Sequence, residues 1–195
     1  MEALNYGESL RHTVAEYRTW PDEFRCELID GEIYMMSPAT RSGHASVVFQ
    51  LSRLLGNYLE GKRCAVFISP FDVEFSEYDV VQPDIVVTCK PELIVDSGLT
   101  GAPDFVAEVL SPKTRKRDLT EKRELYEKHQ VAEYWIIDPK EKYVDVYILH
   151  EGKYLPPTRY TDTGVIKISA LLDCVIDLNV IFRSPMSIVY RSEEE

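Results

Sequence analysis

A chain of 195 residues, 45% hydrophobic and 28% charged, is long enough for one domain with a sizeable core and has an ordinary globular composition. Its net charge of −11 disfavours an indiscriminate nucleic-acid binder, which would be basic overall, but leaves room for an enzyme with a local basic strip. No apolar run approaches the roughly 20 residues that span a bilayer, and MEALNYGESLRH lacks the basic flank and apolar core of a signal peptide, so a cytoplasmic location without membrane contact is expected.

In chain order, Thr13-Val14-Ala15-Glu16 fits a capping box and opens a short helix ending near Trp20-Pro21. Residues 24–37, FRCELIDGEIYMMS, read as two strands joined at Asp30-Gly31, a strong hairpin signal. Val47, Val48, Leu51, Leu54, Leu55, Tyr58 and Leu59 have helical spacing, with one buried face over residues 41–60. RCAVFIS (63–69) and FDVEFS (71–76) are strands around Pro70, and PDIVVTC (83–89) is a further strand. DFVAEVLS (104–111) is the next, followed by a helix from about Thr114 to His129. EYWIIDP (133–139) and KYVDVYILH (142–150) are strands separated by a Pro-Lys-Glu turn, and KYLPPTRY, VIKIS and VIDLNVIF give weaker strand signals. The expected architecture is a single α+β domain over residues 1–195, α/β/α sandwich-like, with a mixed central sheet between helices, additional C-terminal strands, and flexible ends at 1–10 and 191–195. Cys26, Cys64, Cys89 and Cys174 are far apart and form no CxxC pair, so zinc spacing is absent and all four are expected to be reduced.

Glu108 stands out. It lies in FVAEVLS among Phe105, Val106, Val109 and Leu110, where an unpaired carboxylate would cost several kcal/mol. Alternation puts it on the strand face of Val106 and Leu110. Lys122, three residues after Leu119 and four before Tyr126, shares the apolar face of the following helix, which should pack on the sheet. Pro83-Asp84 places a second carboxylate at the start of another strand. Two nearby carboxylates repel unless a proton or a cation intervenes, and hard oxygen ligands with few fixed partners suit Mg²⁺. Asp84, Glu108 and Lys122 on adjacent elements are therefore a set suited to metal-assisted phosphodiester hydrolysis.

A PD pair with a strand glutamate 24 residues beyond the Asp resembles the PD-(D/E)XK nuclease superfamily, although Glu108-Val109-Leu110 lacks the usual lysine two places on. CELIDGEIYMMSP, VQPDIVVTC, GAPDFVAEVLSPKTRKRDLTEKRELY and VAEYWIIDPKEKYVDVY together resemble the Uma-two family of bacterial restriction-endonuclease-like proteins, from roughly Glu27 to Leu149. In that family the lysine has moved to the helix after the strand, here Lys122. The resemblance implies a restriction-endonuclease-like fold, Asp84 and Glu108 as metal ligands with Glu27 able to join them, and Lys122 as the catalytic lysine. It also implies Mg²⁺, with Mn²⁺ as a substitute, and a homodimer as an expected assembly.

Residues 111–128 hold seven basic against four acidic side chains, and Lys113, Arg115, Lys116 and Arg117 are the expected contacts to a nucleic-acid backbone, DNA before RNA. Asp118 is expected to pair with Lys122 across one helical turn, and His44 to be a hydrogen-bonded core residue. Ser111 and Thr114 are read as organising the strand-to-helix turn, and Tyr126 and Trp135 as core aromatics. The function expected is a metal-dependent nuclease, and the alternative is a catalytically silent interaction protein that kept the nuclease fold.

Overall fold

In the computed structural model, which describes residues 11–21, 23–36 and 41–183, most local signals become elements. Helix α1 (Val14–Tyr17) opens at Thr13, whose hydroxyl accepts from the Glu16 amide while the Glu16 carboxylate accepts from the Thr13 amide. Strands β1 (Cys26–Ile29) and β2 (Glu32–Met35) pair antiparallel about Asp30 and Gly31, whose φ angles of 52° and 77° suit a two-residue hairpin turn. A side chain at Gly31 would also run into Arg11, 2.8 Å from its Cβ. Next come α2 (Ser42–Leu59), β3 (Ala65–Ile68), β4 (Val73–Ser76), β5 (Asp79–Val81), β6 (Ile85–Thr88), β7 (Ile94–Val95), β8 (Gly98–Thr100) and β9 (Phe105–Val109). They are followed by α3 (Arg115–Leu119), α4 (Glu121–Lys128), β10 (Glu133–Asp138), β11 (Tyr143–His150), β12 (Lys153–Tyr154), β13 (Thr158–Thr161), β14 (Val165–Lys167), β15 (Val175–Asp177) and α5 (Leu178–Ile181).

Two large sheets result. One has the order β2-β1-β5-β4-β8-β7; the other is mixed, β12-β11-β10-β9-β6-β3, with β13 also on β11. In the mixed sheet β9 and β10 run parallel and the remaining pairs are antiparallel. Alternation divides its two faces. Ile85, Val87, Phe105, Ala107, Val109, Trp135 and Ile137 bury against Val47, Leu51, Leu55 and Leu59 of α2. On the opposite face Val106, Leu110, Tyr134 and Ile136 bury against Leu125 and Tyr126 of α4, with Ile29 and Val81 of the other sheet. Glu108 therefore points away from α2, into the layer between the sheet and α4.

Several expectations need correction. The helix from Thr114 to His129 is two helices, because Thr120 leaves helical geometry at φ −124° and ψ −88°. Its hydroxyl bonds the Lys116 carbonyl at 2.7 Å, the kind of side-chain back-bond that bends helices. VIDLNVIF begins as β15 but continues as α5, which Asp177 caps by accepting from the Asn179 amide. The short strands β5, β7 and β8 carry no sequence signal of their own. Cys64 and Cys89 are joined by a disulfide rather than reduced; they flank the Ala65–Thr88 pair of β3 and β6, so strand register brings them opposite each other. Cys26 and Cys174 are free and buried. The ends expected to be flexible lie outside the described residues. Among the described residues no helix is long and apolar enough to cross a membrane.

Candidate active site

Glu108 comes from β9, buried with 3% of its surface exposed. Its Oε1 accepts from Lys122 Nζ at 2.8 Å and from the Tyr126 hydroxyl at 2.7 Å, both on α4. Among the described residues its Oε2 accepts only the Asp84 amide, at 3.3 Å. Lys122 is itself buried, and its ammonium also lies 2.8 Å from Glu27 Oε1 on β1. The same Glu27 oxygen accepts the Gln82 amide at 2.9 Å, and Glu27 Oε2 accepts from Arg117 at 3.0 Å. Thus both Glu27 oxygens are engaged by protein donors.

Asp84 sits one residue before β6, beside the end of β9. Its Oδ2 accepts from the Val109 amide at 2.8 Å and meets His44 Nε2 at 3.1 Å. Among the described residues, none donates to its Oδ1. His44 is the buried first-turn residue of α2, reaching the sheet end from the opposite layer; its Nδ1 has no partner among the described residues. Asp118 is buried on α3 beside this cluster, and the Tyr134 hydroxyl bonds its backbone carbonyl at 2.9 Å. It does not form the expected ion pair with Lys122, because the break at Thr120 separates their helices and Lys122 turns to Glu27 and Glu108.

The electrostatics follow from this crowding. Burial pushes the Glu108 carboxyl up to about 8 against the pull of Lys122, with Asp118, Asp84 and Glu27 pushing the same way as burial. Burial likewise raises Asp118 to about 6. Burial alone would lower Lys122, but Glu108, Glu27 and Asp118 hold it well above its ordinary value, so the ammonium stays charged. His44 is raised despite burial, because the bond to Asp84 favours its protonated ring. Four carboxylates (Glu27, Asp84, Asp118, Glu108) crowd Lys122, Arg117 and the raised His44 ring, so negative charge exceeds positive when the carboxylates are ionised.

That excess, with Asp84 Oδ1 open and Glu108 Oε2 weakly bound, is the donor chemistry a hard divalent cation takes. Among the described residues no three His, Cys, Asp or Glu side chains converge as a complete metal cage. Two carboxylates with water completing the shell is the habit of Mg²⁺ rather than of a metal bound wholly by protein.

The four basic residues after β9 have different fates. Lys113 and Lys116 are exposed and form no ion pair among the described residues. Arg115 binds Asp138 at 2.6 Å and the Tyr143 hydroxyl at 3.1 Å while staying partly exposed. Arg117 turns inward to Glu27, with its guanidinium over the Tyr34 ring. Tyr126, Asp118 and His44 are drawn into the cluster although no sequence motif marks them; the one available signal is that Tyr126 shares the helix face of Lys122.

A mixed sheet between helices, with an acidic pair at the ends of adjacent strands and a lysine on the next helix, defines a restriction-endonuclease-like fold. The chain belongs to the Uma2 family, described as "Putative restriction endonuclease", whose sequence model matches residues 14–180. It is 29% identical over 136 residues to an uncharacterised protein of Synechocystis sp. (strain ATCC 27184 / PCC 6803 / Kazusa), a match covering 68% of this chain and 71% of the relative. A crystal structure of a "putative nuclease belonging to DUF820" from Anabaena variabilis ATCC 29413 superposes with a TM-score of 0.73 at 20% identity, over 87% of this chain and 97% of that one. The last similarity extends to the fold.

Proposed function

We propose that this chain is a metal-dependent nuclease that hydrolyses phosphodiester bonds in nucleic acid, with DNA the first substrate to test. The supporting observation is the buried Glu108 carboxylate, which accepts from the Asp84 amide, one residue before β6, and from Lys122 on α4. Asp84 Oδ1 and Glu108 Oε2 would hold Mg²⁺ or Mn²⁺, with Glu27 bound instead to Lys122 and Arg117. A divalent cation there supplies positive charge to polarise the phosphodiester and favours hydroxide over water. Lys122, kept charged and fixed by two carboxylates, orients the attacking water or stabilises charge developing on phosphorus oxygens. Tyr126 fixes the other side of Glu108 Oε1, and Lys113 and Lys116, with the exposed part of Arg115, contact backbone phosphates.

The test is cleavage of labelled single- and double-stranded DNA and RNA by wild type, Glu108→Ala and Lys122→Met, each with Mg²⁺, Mn²⁺ or EDTA. Cleavage that needs metal and disappears in both variants supports the reading. Equal cleavage in all three would sink it. A second reading, a catalytically silent interaction protein, draws on Lys122 already bridging Glu27 and Glu108, so that the cluster closes without a cation. No cleavage and no metal binding by folded wild type would favour it.

A further inference from the structure

We infer that two copies of this chain pair through the outer edge of β3, extending the mixed sheet across a two-fold axis. This goes beyond the nuclease reading and does not depend on it. β3 ends the mixed sheet. The Ser69 amide bonds the Asp84 carbonyl at 3.2 Å, and hydrogen-bonded positions alternate in an antiparallel pair, so Ala65, Phe67 and Ser69 face β6. The backbone groups of Val66 and Ile68 then point outward, and among the described residues nothing pairs with them.

The other edges are protected. β7 and β12 are two residues long; β2 carries Glu32, β13 carries Arg159, and the β14–β15 hairpin carries Lys167 and Asp177. Short length and charge are the usual defences against edge pairing; β3, Ala-Val-Phe-Ile, is twice the length of β7 and β12 and carries no charge, with Arg63 and Pro70 just outside it. No charge occurs between Cys64 and Phe71, in a chain whose net charge of −11 sets copies against each other elsewhere. The margin carries exposed apolar groups, with Arg53 of α2 beside them. Ile68 is 48% exposed and Phe49 on α2 is 60% exposed. Val66 and Ile68 lie opposite Val87 and Ile85, hence on the α2 side of the sheet. Gly56 of α2 passes over Val66, a Cβ there lying 4.0 Å from Val66 Cγ1, and Phe49 is two helical turns earlier on that helix face.

The occupant is a second β3 because the edge complements itself. With the copies antiparallel about Phe67, Val66 of each lies opposite Ile68 of the other and exchanges both hydrogen bonds, while Phe67 meets Phe67 in a non-hydrogen-bonded pair. The axis stands perpendicular to the sheet, so both Glu108 clusters keep to one face. Strand spacing of about 4.8 Å and rise of about 3.4 Å per residue set the two Asp84 positions about 20 Å apart. Four residues with two apolar flanks make a contact smaller than the roughly 800 Å² per partner of a standard interface, so the dimer should dissociate on dilution.

Sedimentation of the full chain over a concentration series, with oxidative cross-linking of cysteine variants, tests the pairing. Mass should double as concentration rises, and Ile68→Lys should weaken association at least about tenfold with an unchanged melting curve. Phe67→Cys should give disulfide-linked dimers, whereas Val66→Cys and Ile68→Cys should link when mixed and scarcely when alone. A monomer at every concentration would overturn the inference. So would a dimer that survives Ile68→Lys. Should Phe67→Cys not fold, the Ile68→Lys comparison and the mixed pair decide.

Discussion

Lys122 on α4 and Glu108 on β9 meet at 2.8 Å inside the protein, each with about one-twentieth or less of its side chain exposed. The same ammonium also touches Glu27 on the other large sheet, so one positive charge ties three elements together. Losing it leaves two buried carboxylates with fewer partners, whereas neutralising Glu108 leaves Lys122 with Glu27. We expect Lys122→Met to lower stability by about 3–5 kcal/mol and Glu108→Gln to change it by less than about 1 kcal/mol, both without metal. Urea unfolding of the two variants in EDTA checks this; equal losses would contradict it.

The pH dependence follows from the same crowding. Glu108 is raised from 4.5 to about 8 and Asp118 from 3.8 to about 6, chiefly by burial. The native state therefore binds more protons than the unfolded chain across that window, and metal-free stability falls as pH rises from about 4.5 to 8. His44, also raised, acts in the same direction. Asp79 is held low against burial by bonds from His129, Asp30 and Ser76, and matters only below the ordinary carboxylate range. Denaturant melts in EDTA should give lower stability at pH 8 than at pH 5, and Mg²⁺ should shrink the difference by replacing protons. A rising metal-free curve would contradict the assignment.

His44 bonds Asp84 Oδ2 beside the Val109 amide, and among the described residues nothing donates to Oδ1. Removing such an outer partner commonly weakens metal binding 10- to 100-fold. His44→Ala should weaken Mn²⁺ binding at least about tenfold, measured by titration calorimetry, and His44→Gln should recover part of it by restoring a donor. Unchanged affinity in His44→Ala, where wild type binds Mn²⁺, would remove His44 from this role.

The basic residues after β9 should separate in a salt titration of nucleic-acid binding. Each phosphate contact contributes a slope of about 0.9 in log affinity against log salt on duplex DNA. Lys113→Ala and Lys116→Ala should each reduce the slope by about that much while leaving melting temperature unchanged. Arg117→Ala should chiefly lower stability, since its guanidinium is bound to Glu27. A full slope change from Arg117 alone would reverse this division.

The elements bearing the site were legible because their signals are local. Alternation in FVAEV put Glu108 on the Val106 face, and helical spacing put Lys122 beside Tyr126. The hairpin at Asp30-Gly31 and the Thr13 capping box were equally local. The break at Thr120 was hidden because threonine is tolerated within helices, where the same local back-bond need not end the helix. His44 was hidden as well: its partner is 40 residues away, on the far side of a sheet whose register no single segment reveals. The Cys64–Cys89 pairing has the same origin, since β3 and β6 are joined through β4 and β5 of another sheet.

Placing the lysine on α4 rather than on β9 has a consequence for partly folded chains. In a strand arrangement, acid and lysine would arrive together as the sheet zips up. Here an intermediate with its strands paired but α4 undocked presents Glu108 without Lys122 or Tyr126, because both come from that helix. Such a species holds a carboxylate without its counter-charge, so on the proposed nuclease reading it would be inert as well as unstable.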